Sequence, residues 1–178
     1  MDSLFQELVD GFYADVYRFA LSLARNPDEA CDLTQQVYAT AAKRIDQLRE
    51  RSKAKSWLFT TLYREFLKSK ARAKRQPLAS EEEIEKLEDP GGGGEQQAAH
   101  TELREALLHL EDAHRAILTL FYMDQISYKE ISAILEIPIG TVMSRLARAK
   151  EALRELLNPG NKIAFRGSDG QKPKVKQE

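Results

Sequence analysis

A single cysteine, Cys31, stands in a chain of 178 residues. No internal disulfide is possible and no cysteine-based metal cluster can form, which fits a reducing compartment such as the cytoplasm. Histidine is scarce too. His100, His109 and His114 are the three, and the step of five between the last two does not set them on one helix face as a ligand pair. No apolar run approaches the roughly 18 residues of a membrane span. The opening MDSLFQELVD is acidic and lacks the basic start of a secretory signal. Four of the nine glycines are consecutive, at 91–94, without the Lys and Ser/Thr that follow in a phosphate-binding loop. Strand-like alternation is missing throughout. Catalysis, a metal, a cofactor and membrane insertion are therefore not expected.

What is present is charge, sorted along the chain. The formal net charge of −1 is an average over unlike segments. Residues 1–42 hold two basic and seven acidic residues, net −5. Residues 43–75 hold twelve basic and three acidic, net +9. Residues 76–100 hold one basic and seven acidic, net −6. Such asymmetry points to a polyanionic partner for the middle segment, which the sum alone does not.

The hydrophobic spacing is helical. Leu4, Phe5, Leu8, Phe12, Val16, Phe19, Ala20 and Leu23 recur at three and four residues. NPDEA (Asn26–Ala30) places a cap residue before Pro27 and acids in a first turn, and Ala30, Leu33, Val37, Tyr38 and Ala41 continue that helix. A polar, mostly basic connection at Asp46–Lys55 precedes a third helix from Ser56, apolar at first and basic at its end. Gln76–His100 is acidic and rich in Pro and Gly, the composition of a linker. Helical pattern resumes near Thr101 and lasts to about Leu157, followed by a polar basic tail. The expected fold is all-α: a helical domain over 1–75, a flexible acidic Gly-rich linker over 76–100, a second helical domain over 101–157 and a disordered tail over 158–178.

The second domain carries a motif. In ISYKEISAIL (Ile126–Leu135), Ser127 can cap a short helix with Glu130 three residues on, and Ile126 and Ile131 stand where a hydrophobic staple places them. EIPIG then turns the chain. Thr141 can cap a second helix whose inner face is Val142, Leu146, Ala149 and Leu153. Its outward face carries Thr141, Ser144, Arg145 and Arg148, with Lys150 nearby. Two short helices joined by a tight turn, the second presenting Thr, Ser and Arg, follow helix-turn-helix logic, in which the second helix reads the major groove. The competing reading is a solvated face in a plain bundle.

Tyr122–Leu157, with its GTVMSRLARAKEAL block, resembles the C-terminal promoter-binding domain of bacterial sigma factors of the extracytoplasmic-function (ECF) type, in the sigma-70 family. The resemblance implies recognition of the minus-thirty-five promoter element. Asn26–Ile45 is similar to the family's helix that docks on core RNA polymerase, where it meets a coiled coil of the β′ subunit; Asp28, Glu29, Asp32, Gln35 and Gln36 are the matching face. Asp46–Arg75 is similar to the part that recognises and melts the minus-ten element. Arg49, Arg51, Lys53, Lys55, Arg64, Lys68 and Arg72 would hold phosphates there, and Trp57 is a candidate stacking platform. Trp57, Phe59 and Tyr63 also suit a helix core.

Two departures from the family stand out. LYREFLKSK (Leu62–Lys70) puts Arg64–Glu65 and Lys68 near the usual places of an Asn and an Asp, which bears on promoter preference. The frequent LP before the helix pair appears as LED (Leu110–Asp112), a change read as neutral. The resemblance also implies contact with the β subunit, a candidate anti-sigma factor, and a tether whose Glu81, Glu82, Glu83, Glu85, Glu88 and Asp89 mimic RNA in a basic channel. The alternative is a stand-alone helix-turn-helix regulator, which would need a receiver or ligand domain; the first hundred residues are helical with a basic middle instead.

Overall fold

A computed structural model of the protein describes residues 3–75 and 95–158. The acidic stretch 76–94 and the tail, with the roles read for Glu81–Asp89, lie outside the described residues. Among the described residues every regular element is helical: α1 (Ser3–Ala24), α2 (Pro27–Arg44), α3 (Ala54–Ala73), α4 (Glu95–His109), α5 (Asp112–Leu118), α6 (Tyr128–Leu135) and α7 (Ile139–Leu157). Short 3-10 turns at 45–47 and 51–53 fill the basic connection, and a wide turn at 119–123 follows α5. Helix α4 starts at Glu95, inside the stretch read as linker. None of the described helices is long and apolar enough to cross a membrane.

Helices α1, α2 and α3 pack on one another. The apolar stripe of α1 supplies Leu8, Val16, Phe19, Ala20 and Leu23; α2 adds Val37 and Ala41; α3 adds Leu58, Phe59, Leu62 and Phe66, all buried. The Phe19 and Phe59 rings lie 5.1 Å apart and tilted, a favourable aromatic pairing. Tyr38 donates from its hydroxyl to the Leu8 carbonyl at 3.3 Å, so its buried polar tip has a partner. Burial, with the neighbouring Tyr13 and Asp15, pushes the Tyr38 phenol well above its ordinary value.

The second half wraps α5 and α6 around α7. Ile117, Leu120, Ile131, Ile134, Val142, Leu146 and Ala149 form its buried centre. The expected capping box is present: Glu130 N donates to Ser127 Oγ at 3.3 Å, and Ser127 N donates back to Glu130 Oε2 at 3.3 Å. The cap expected at Thr141 is not. Helix α7 begins at Ile139 with Pro138 preceding it and no side-chain cap, which places Thr141 inside the first turn. The fixed φ of proline sets the entry, and no hydroxyl is needed.

Two helix ends are unusual. Arg25 follows α1 with φ 64°, and Glu136 ends α6 with φ 56°. Glycine is the residue such left-handed positions favour.

Ser127→Ala should cost about 1 kcal/mol in urea unfolding. The Ser127 hydroxyl is also the main reason the Glu130 carboxyl lies below its ordinary 4.5, ahead of burial, which pushes the other way. A depressed acid adds stability above its unfolded value and loses it as pH falls through its folded value. In the variant the Glu130 titration, followed by side-chain NMR, should therefore move up toward 4.5.

Candidate nucleic-acid interface

Three polar faces emerge from this fold. The first is on α2. Asn26 caps the helix, accepting from Asp28 N at 2.8 Å and Glu29 N at 3.2 Å, with Pro27 at the first position. Acids at a helix N-terminus suit the macrodipole. Asp28, Glu29, Asp32, Gln35 and Gln36 are all exposed and step along one side. Glu29, Asp32 and Gln36 line a shallow groove whose far wall is Phe66, Ser69 and Lys70 of α3.

The second face is the basic stretch. Arg49, Arg51, Lys53, Arg64, Lys68 and Arg72 are exposed. Most are paired with the chain's own acids. Arg51 meets Glu7 at 2.8 Å, Lys53 meets Glu50 at 2.8 Å and Lys68 meets Glu65 at 2.9 Å. Arg64 donates from Nε to Glu136 of α6 at 2.7 Å. Lys55 is the exception in burial. Half-buried, it sits 2.8 Å from Asp15 and 3.7 Å from Asp124, with the Phe59 ring 5.5 Å away. It is therefore part of the packing here. Trp57 is half-buried against the core, Tyr63 likewise, and Phe59 is fully buried, so it cannot stack on a base in this arrangement.

The third face is α7. Ser144, Arg148 and Lys150 are exposed, whereas Thr141 and Arg145 are half-buried. Ser144 donates to the Thr141 carbonyl at 3.2 Å. Arg145 lies near enough to Tyr63 of α3 to oppose the rise that burial gives that phenol. At about 100° per residue, Arg145 and Lys150 fall on opposite flanks of the helix, roughly 140° apart. Thr141, Ser144, Arg145 and Arg148 share one face about 100° wide, and Lys150 lies off it. Ile139 and Met143 were missed: both are half exposed at the head of α7, 50% and 55%. Their signal was a step of four residues off the buried stripe, obscured because apolar residues were assigned to the core. Thymine methyls are natural partners for such side chains in a major groove.

Within the LED segment, Asp112 takes part in the packing of the two halves. Asp112 Oδ1 accepts from Arg115 at 2.6 Å and from Arg25 at 2.9 Å, and Lys70 lies 4.0 Å from Oδ2. Burial pushes the Asp112 carboxyl up, but Arg115, Arg25 and Lys70 together outweigh it and hold the group below its ordinary 3.8.

Comparison with known proteins covers both halves. The family model for sigma-70 region 2 matches residues 8–76, and that for sigma-70 region 4 matches residues 100–153. The chain is 33% identical over 159 residues to the ECF RNA polymerase sigma factor SigM of Bacillus subtilis (strain 168), covering 86% of this chain and 95% of that protein. It is 28% identical to SigW of the same organism, at 86% and 88% coverage. Among solved structures it is similar to the sigma factor RpoE of Bartonella quintana, determined in complex with the anti-sigma factor NepR. The TM-score is 0.74 at 29% identity, over 86% of this chain and 96% of that one. Coverage of that extent takes in both halves in one superposition.

Asp112→Asn should destabilise the protein at pH 7 by about 1.5–3 kcal/mol, the range for a hydrogen bond to a charged group. Because the wild-type carboxyl is depressed, its contribution is complete above the ordinary 3.8 and is lost as pH falls through its lowered folded value. Urea unfolding of the two proteins should then converge in acid.

Proposed function

The chain belongs to the sigma-70 family, as an RNA polymerase sigma factor of the extracytoplasmic-function type, and from that premise we propose how its halves divide the work. Such a factor binds core RNA polymerase and directs it to promoters to initiate transcription; nucleotide chemistry belongs to the polymerase. Residues 1–75 engage core polymerase and the minus-ten element. Asp28, Glu29, Asp32, Gln35 and Gln36 face a basic surface of the β′ coiled coil. Arg49, Arg51, Lys53, Arg64, Lys68 and Arg72 hold phosphates of the opening duplex, and Trp57 supports an unstacked base once the strand separates. Residues 101–157 read the minus-thirty-five element with α7, and the β subunit lies beside them. The factor works in the cytoplasm, where its polymerase is. The Bartonella quintana factor is held by an anti-sigma factor, and a similar partner is proposed for this chain.

The observation that carries the reading is the α6–turn–α7 unit. Its capped first helix and its second helix, with Ser144 and Arg148 exposed, lie inside the region 4 match, while the first half has its own region 2 match. A stand-alone regulator leaves that first half without a task.

Run-off transcription with purified core polymerase on a pool of random promoters tests it. Selected transcripts should share an upstream and a downstream element only when the protein is present. Tight binding to duplex without polymerase, and no transcription with it, would return the case to the stand-alone regulator. On the selected promoter, Arg145→Ala should lose about 1–3 kcal/mol at particular upstream bases. Arg148→Ala should weaken all sequences alike and lower the salt slope of binding by about one. An exchange of these two patterns would swap their roles.

A further inference from the structure

Two apolar side chains face water at the head of α7. Ile139 opens the helix and Met143 follows one turn on, both about half exposed. Neither belongs to the buried core or to the partly buried residues packed against it. Ala147, a further turn on, is exposed as well. At about 100° per residue these three lie within roughly 80° of one another. The buried stripe of Val142, Leu146 and Ala149 is on a different side. The exposed front of α7 is therefore split lengthwise, with Thr141, Ser144, Arg145 and Arg148 on one flank and Ile139, Met143 and Ala147 on the other. Gly140 stands between the flanks, and a Cβ added there would meet nothing within 4 Å. A helical glycine costs stability relative to alanine. The packing of this fold does not call for it, and a bare backbone lets the head of the helix approach a groove closely.

Resting on the sigma-factor reading, we propose that Ile139 and Met143 are specificity residues that read the 5-methyl groups of thymines in the upstream promoter element. Both lie inside the region 4 match, on the helix that carries the exposed Ser144 and Arg148. The apolar patch thus continues the surface assigned to DNA. Recognition helices contact base edges through their N-terminal residues, where Ile139 and Met143 stand. In the major groove thymine alone among the four bases presents a methyl group. Contact removes apolar surface of both partners from water. Cytosine and adenine present an amino group there, which Ile or Met would desolvate without pairing. The unbranched thioether of Met143 can adjust to a methyl at a slightly variable position. Four residues of helix rise about 6 Å, close to two base steps, so the two methyls fall within about three base pairs of each other.

The test removes single methyl groups. A promoter selected with the wild-type factor is remade with each thymine of its upstream element changed in turn to deoxyuridine, which deletes the 5-methyl and keeps the base pair. Binding is read with holoenzyme, core polymerase plus the full chain. At one or two thymines the wild-type holoenzyme should bind the uracil duplex about fourfold more weakly, the worth of one buried methyl. Met143→Ala should weaken binding to the thymine duplex by a similar factor and lose the discrimination at one of these positions. Ile139→Ala should lose it at the other, and Met143→Leu should retain it. Both side chains are exposed, so these variants keep the fold. Indifference of the wild-type holoenzyme to uracil throughout the upstream element, or full discrimination in both alanine variants, would overturn the proposal while leaving the sigma reading intact. Loss of core-polymerase binding by Met143→Ala in the absence of DNA would give the patch to a protein partner instead. Absence of promoter-dependent run-off with the wild-type factor would remove the sigma reading, and the proposal with it.

Discussion

One buried guanidinium sets how the halves meet. Arg115, 1% exposed, donates through Nε to the Ser22 carbonyl, through Nη2 to the Leu23 carbonyl at 3.2 Å and to Asp112, and through Nη1 to the Leu110 carbonyl at 2.6 Å. A cation taken out of water is costly unless its donors are matched. Here the match is unusually complete, because the end of α1 offers carbonyls that no further helical turn would satisfy. That end also carries the negative pole of the helix. The planar fork of arginine suits several acceptors at fixed angles, which a lysine ammonium would not. Since Arg115 belongs to α5, which packs on α7, the end of α1 fixes where the recognition helix sits relative to the first domain.

The two kinds of packing differ in composition. Within each half the contacts are apolar and fully buried, the sort that gives cooperative stability. Between the halves the apolar core continues, and ion pairs of mixed quality are added to it. Asp124 shows the difference. Its side chain is 0% exposed, one carboxylate oxygen meets Arg18, and the other has no partner among the described residues. Burial pushes this carboxyl above its ordinary value despite Arg18 and Lys55. A carboxylate so poorly compensated costs stability, and the apolar packing around it must offset that cost.

Local structure was legible in the sequence; long-range structure was not. The period of the apolar residues gave α1, α2 and α3, the Asn26–Pro27 start and the Ser127–Glu130 box, because each depends on residues within one helical turn. Thr141 misled because hydroxyls often cap helices, yet Pro138 had already set the start three residues earlier. The start of α4 at Glu95 was hidden by the glycines and acids just before it. Asp112 and Arg115 carried no periodic signal: partners of theirs lie some ninety residues away, at the end of α1 and just after it. Ile139 and Met143 were hidden by the habit of assigning apolar residues to the interior, although about half of any folded surface is apolar.

The pairing of the basic stretch reconciles a nearly neutral chain with a polyanionic partner. Arg51, Lys53 and Lys68 each rest against a carboxylate, yet each stays about two-thirds exposed. Exposed pairs of this kind are worth little, about 0–1 kcal/mol, because water screens them and long side chains must be ordered to form them. A DNA phosphate can therefore replace the carboxylate at small cost. It also releases condensed counterions, an entropy gain that the intramolecular pair does not have. On the proposed reading, the acids keep the free protein from binding every polyanion it meets and yield to a duplex at close range. Lys55 does not join in this exchange: it is half-buried and held between Asp15 and the fully buried Asp124.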